Sequence, residues 1–92
     1  MSQSNFLRGS FVALEVNGDF SEAALAMSDG SRLHFCHRVG QRWARAEGSD
    51  GKEQPDSLAA QVLAGVAHFR LNGKHLDILF SDGSRWEAPF RG

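Results

Sequence analysis

The sequence contains one cysteine, two prolines, no tyrosine and no long apolar run. A lone cysteine, Cys36, excludes an internal disulfide and fits a reducing compartment. No apolar stretch approaches the ~20 residues that a membrane-spanning helix needs. The opening residues Met1-Ser2-Gln3-Ser4-Asn5 are polar and uncharged, which reads as no signal peptide and as a cytoplasmic protein. The glycine patterns that cradle phosphate, GxGxxG and GxxxxGK, do not occur. No Ser/His/Asp constellation stands out for nucleophilic catalysis. The missing tyrosine carries no consequence of its own.

What is present is a repeat. Ser28-Asp29-Gly30-Ser31-Arg32 returns as Ser81-Asp82-Gly83-Ser84-Arg85, and each copy is preceded by an Asn-Gly pair, Asn17-Gly18 and Asn72-Gly73. An apolar run stands before each copy and an alternating run follows it. The chain therefore reads as one domain, residues 1–92, made of two copies of a three-strand unit. The copies cover residues 11–38 and 66–91, and a two-residue excess in the first falls in its turn at residues 17–20.

In order, residues 1–8 read as a loose arm. Phe11–Val16 forms a strand with Val12, Leu14 and Val16 on one face, and residues 22–27 follow with Ala23, Leu25 and Met27 on one face. Residues 32–38 alternate: Leu33, Phe35 and His37 face one way, and Arg32, His34, Cys36 and Arg38 the other. Residues 41–46 add a fourth strand. A polar loop occupies residues 47–54. Residues 56–64 read as a helix, introduced by Pro55-Asp56-Ser57 and striped by Leu58, Ala59, Val62 and Leu63, with Gly65 as its stop. The second unit then places Ala67, Phe69 and Leu71, then Leu76, Ile78 and Phe80, then Trp86, Ala88 and Phe90 on its apolar face.

Face parity selects the turns. Opposed residues in an antiparallel pair share a face, so Leu25 must meet Leu33, which demands a three-residue Ser28-Asp29-Gly30 loop with Gly30 left-handed. Ile78 then meets Trp86. The Asn72-Gly73 pair suits a two-residue loop that opposes Phe69 to Leu76. The expected fold is α+β and mainly antiparallel, ββββ-α-βββ, a duplicated meander in one curved sheet or small open barrel closed by one short helix. Its core is expected at Leu14, Leu25, Leu33, Phe35, Phe69, Ile78, Phe80 and Trp86, packed on Leu58 and Val62.

Three constellations are candidates for function. His34-Phe35-Cys36-His37 has metal-ligand residue types, but alternation sends His37 away from His34 and Cys36, and a site needs three or four donors. No metal, no cofactor and no catalytic set are expected. Asp29 and Asp82 read as turn residues that bond their own backbone. The third is a basic stretch. The net charge is −1, yet residues 31–46 hold four arginines and no acid. Arg32, His34, Arg38, Arg42 and Arg45, with Trp43 among them, form the expected partner-binding surface, since arginine and tryptophan dominate interface energetics. The expected function is a small non-enzymatic interaction module, a regulator, inhibitor or adaptor that binds a protein partner as monomer or homodimer. The alternative is nucleic-acid or nucleotide binding through the same arginines, against which the pI near 6.4 counts. Pro89 and Arg91 guard the C-terminal edge in this reading, leaving the Trp43 strand as the contact.

Overall fold

The computed structural model describes residues 3–19, 21–72 and 75–89. The elements run α1 (Gln3–Ser10), β1 (Phe11–Val16), β2 (Glu22–Met27), β3 (Arg32–Arg38), β4 (Gln41–Glu47), α2 (Leu58–Ala64), β5 (Val66–Asn72), β6 (His75–Phe80) and β7 (Arg85–Pro89). All ladders are antiparallel. They form two sheets, β1-β2-β3-β4 and β5-β6-β7, and among the described residues no ladder joins the two. Two sheets thus stand where one curved sheet or a small open barrel was expected, and the described strands form no closed barrel. The carbonyls of Phe69 and Leu71 on β5 meet side chains, those of Arg42 and His37. Side chains from the larger sheet thus cover β5 where a barrel would continue strand pairing.

The apolar faces of both sheets and of both helices meet in one core. Leu25, Leu33, Phe35, Phe69, Ile78, Phe80, Trp86 and Val62 are buried in it, and Leu14 and Leu58 pack partly buried against it. The Phe35 and Phe69 rings meet across the two sheets with centroids 4.9 Å apart. Phe11 meets Trp86 edge-on at 5.3 Å.

Of residues 1–8, expected as a loose arm, the described residues 3–8 belong to helix α1. Gln3–Ser10 contains Ser, Asn and Gly, which are poor helix formers, and eight residues would not hold a helix in water. Tertiary contacts hold it instead. Leu7 is fully buried, and the N–H groups of Gln3 and Ser4 donate to Asp82 Oδ2 and Ser84 Oγ at 2.7 and 3.2 Å. Helix α2 starts two residues later than the sequence reading placed it, at Leu58. Ser57 keeps an extended backbone and its Oγ accepts the Ala60 N–H, so Asp56 stands before the cap. Gly65 closes the helix, its N–H donating to the carbonyls of Val62 and Leu63.

Both Ser-Asp-Gly turns have the expected geometry. Met27 N–H donates to Ser31 O and Gly30 N–H to Met27 O, and Phe80, Ser84 and Gly83 repeat the pattern. Gly30 and Gly83 each sit at φ 86°, where a Cβ is disfavoured. Leu25 faces Leu33 and Ile78 faces Trp86.

Two registers depart from expectation. In β5–β6, Phe69 faces Ile78 and Leu71 faces Leu76, where Phe69 was expected opposite Leu76. Face parity defines a register only modulo two residues, and the observed member pairs apolar with apolar twice. Gly73 of the expected loop lies outside the described residues, as do Phe20, Phe90 and Arg91. In β1, the ladder slips between Phe11 and Ala13, turning Val12 outward to 65% exposure while Leu14 and Val16 stay on the core side. The same slip between Val66 and His68 in β5 exposes Ala67. A bulge adds one residue and inverts the alternation before it.

Candidate interaction surface

Strands β3 and β4 place the outward residues of the basic stretch on the outer face of the four-stranded sheet. Arg32, His34, Cys36 and Arg38 on β3 lie opposite Glu47, Arg45, Trp43 and Gln41 on β4. On the other flank of β3, Glu22, Ala24 and Ala26 of β2 face Cys36, His34 and Arg32. The alanines are short, so the middle of this face dips. The result is a trough of about 370 Å³ lined by Glu15, Glu22, Ala24, His34, Trp43 and Arg45.

The structure separates Arg42 from the other five expected site residues. Period-two alternation turns it to the opposite face of β4 from Trp43 and Arg45. There its guanidinium lies 4.8 Å from the Phe69 ring centroid, contacts the His68 ring and donates to the Phe69 carbonyl. Arg42 therefore ties the two sheets together at their β4–β5 side.

The positive charge on the outer face is matched by acids contributed from neighbouring strands. Arg32 pairs with Glu15 at 3.3 Å, Arg38 with Glu22 at 2.9 Å, and His34 meets Glu47 at 2.6 Å. Arg38 also donates to Ser21 Oγ. Such half-exposed pairs are worth little to stability, about 0–1 kcal/mol each, but they cancel the local field. Arg45 is different. Among the described residues no carboxylate pairs with it, and its guanidinium lies 5.8 Å from the Trp43 ring. The arginines read from residues 31–46 alone could not reveal this, because Glu15 and Glu22 arrive from β1 and β2. The signal was available in the register: Glu15 aligns with Ala24, His34 and Arg45 in one row across four strands.

The His-Phe-Cys-His cluster is split as alternation requires. Cys36 is 1% exposed beside Trp43, His34 is held by Glu47, and His37 Nδ1 meets the Leu71 carbonyl on the core side. Among the described residues no three His, Cys, Asp or Glu side chains converge on a metal-sized point. No helix among them is long and apolar enough to cross a membrane.

Asp29 and Asp82 do more than close their turns. Oδ1 of each accepts from Ser31 and Ser84 respectively, within the turn. Oδ2 of Asp29 accepts the Leu58 N–H at 2.9 Å, and Ser31 Oγ accepts the Ala59 N–H at 3.1 Å. Asp82 and Ser84 do the same for Gln3 and Ser4 of α1. Each turn thus caps the helix of the other half of the chain, supplying a negative charge where the helix exposes its first N–H groups. These bonds hold both carboxyls below the usual aspartate range, Leu58 N–H contributing most at Asp29 and the Ser84 hydroxyl most at Asp82. Sequence reasoning found the turn role and missed the cap, because the partner amides lie 29 and 79 positions away.

Compared with protein-family models, with curated proteins and with solved structures, the chain matches none of them.

Proposed function

We propose that the protein is a small non-enzymatic interaction module of the cytoplasm, built by duplication of an α-βββ unit, that binds a protein partner through the outer face of its four-stranded sheet. The observation that carries this reading is the charge pattern of that face. Arg32, Arg38 and His34 are each matched by a carboxylate, whereas Trp43 and Arg45 stand together beside a shallow trough. A phosphate backbone would meet three glutamates there. A protein surface finds a mixed-charge rim around an aromatic and an arginine, the composition of interface hot spots. The duplication reading rests on matched bulges, matched turns and reciprocal caps.

The test uses native extract and purified protein. Partner capture should survive nuclease, fall with Trp43→Ala or Arg45→Glu, and change little with salt. The competing reading, nucleic-acid binding through the same arginines, requires loss on nuclease treatment. It also requires a log–log salt slope near −0.7 per neutralised phosphate on single strands. Capture unaffected by both variants refutes this face as the contact.

A further inference from the structure

The two halves differ in one element. Strand β4 pairs with the free edge of β3, packs on α2, and lays Arg42 over Phe69 of β5. On the duplication reading proposed above, the matched ladders and caps put β7 in the place of β3, α1 in the place of α2 and β1 in the place of β5. The second half has no strand in the place of β4 among the described residues. At that place lies a groove of about 470 Å³, lined by β7 (Trp86, Ala88), α1 (Arg8) and β1 (Phe11, Ala13, Leu14). Among the described residues β7 makes no backbone hydrogen bond beyond its ladder with β6.

We infer that this groove accepts one extended strand of a partner protein, added to the free edge of β7 as β4 is added to β3. The occupant follows from the filled counterpart. In the first half Phe35 faces Ala44 and Leu33 faces Ala46 across β3–β4. The counterpart of Phe35 is Ala88, and that of Leu33 is Trp86. Facing Phe35, whose ring reaches that of Phe69, β4 carries a small residue, Ala44. Facing Ala88, with Leu14 in the place of Phe69, a guest strand has room for a large apolar side chain, and two residues after it along the guest, facing Trp86, it needs a small one. The partner strand is therefore one with a bulky aliphatic residue and a small residue at alternate positions. Pro89 lacks an N–H at the end of β7, so pairing falls on Arg85–Ala88.

The direction of the guest follows β4: antiparallel to β7, entering near the C-terminal end of β7. Since β4 runs from its Ala44 to its Ala46 along falling β3 numbers, the small residue follows the large one by two positions. The groove shares no lining residue with the trough, and Trp43 lies on β4, the edge of the four-stranded sheet opposite β1, so this site is distinct from the Trp43–Arg45 contact proposed above.

Two synthetic peptides test it, one with the sequence of residues 40–48 and one carrying Ala44→Leu. Amide hydrogen exchange and backbone shifts of the intact protein are the readouts. The Leu peptide should bind at least about tenfold tighter than the parent peptide, as burial of one extra aliphatic side chain requires. It should protect the amides of Arg85 and Glu87, which the ladder with β6 leaves facing the free edge, and shift Ala13 and Leu14. Ala88→Phe, which restores the bulk of Phe35, should reverse the preference. Should that variant not fold, the two-peptide comparison on the parent protein still decides. Trp43→Ala and Arg45→Glu should leave peptide binding unchanged, which separates this site from the outer face. The inference is overturned if neither peptide protects β7 at millimolar concentration or if the shifts map to β3 and β4. It is also overturned if the protein alone is a dimer with β7 already protected, for then a second copy fills the groove.

Discussion

Removing one buried hydroxyl should destabilise this protein more than its size suggests. Ser31 is fully buried, and its Oγ donates to Asp29 Oδ1 while accepting the N–H of Ala59, itself fully buried. Ser31→Ala leaves that amide without an acceptor in a place water does not reach. An unsatisfied buried donor costs about 1–3 kcal/mol, and the loss of a helix N-terminal acceptor is worth about 0.5–2 kcal/mol; the two describe the same bond, so the expected loss is about 2 kcal/mol. The Asp29 side of the bond adds little, because Asp29 is exposed and water replaces the lost donor. A chain of this length has about 5–14 kcal/mol of stability, so the substitution removes a substantial share. Tm should fall by about 8–16 °C. Urea unfolding followed by tryptophan fluorescence should show a lower midpoint at unchanged slope. Ser84→Ala, at the counterpart position where the hydroxyl is only half-buried, should cost about half as much or less. If Ser31→Ala lies within about 0.3 kcal/mol of the parent, well under the unsatisfied-donor cost, the cap does not hold α2 and the account of the helix start is wrong.

Three further outcomes are expected. Phe80→Ala, at a position 1% exposed, should lose about 3–5 kcal/mol in the same urea assay. Arg42→Glu should lower Tm by replacing the donor to Phe69 O, whereas Arg45→Glu should leave Tm unchanged and act only on partner capture. Acid should unfold the protein through its turns. Asp19, Asp29 and Asp82 all have depressed carboxyls, held down chiefly by Ser21, by the Leu58 N–H and by Ser84. A depressed carboxylate stabilises the fold above its unfolded value of 3.8, and that contribution fades as pH falls below it through the lower folded value. A pH series of melts should therefore fall below about pH 4, and Asp29→Asn should flatten that limb. An unchanged limb in the variant would remove Asp29 from the linkage.

The hairpins were legible because two independent signals agreed at each Ser-Asp-Gly turn, glycine chemistry and face parity. Leu25 opposite Leu33 and Ile78 opposite Trp86 follow from that agreement. Val12 and Ala67 were misplaced because a bulge has no residue signature here, and one inserted residue inverts every face before it. Helix α1 was missed for a related reason. Its residues have weak helix propensity, and its start is held by Asp82 and Ser84 from the far end of the chain, a long-range fact that no local window contains. The candidate surface was legible in membership for Arg32, His34, Arg38, Trp43 and Arg45, since they share one parity across β3 and β4. It was illegible in charge, because the neutralising Glu15 and Glu22 come from strands whose registers had first to be known. Arg42 was assigned by composition where parity already placed it on the other face.

If the chain arose by duplication, as proposed above, reciprocal capping bears on how two halves would join. On the duplication reading, a single α-βββ unit has a helix without its first acceptors and a turn whose Asp and Ser face no amides. In this protein the Asp29–Ser31 pair serves Leu58 and Ala59, and the Asp82–Ser84 pair serves Gln3 and Ser4, so neither unit caps itself. Two copies of one unit, exchanging caps about a two-fold axis, satisfy both helices at once, which makes a homodimer the simplest state for the isolated unit. Joining the copies through residues 48–57 turns that association into an intramolecular one, with the effective concentration of a short linker. Symmetry then ceases to be required. The first half could gain β4 and close the β5 side with Arg42, while the β7 edge stayed open. The asymmetry that gives this protein one covered side and one open groove is of the kind that fusion permits and a symmetric dimer does not.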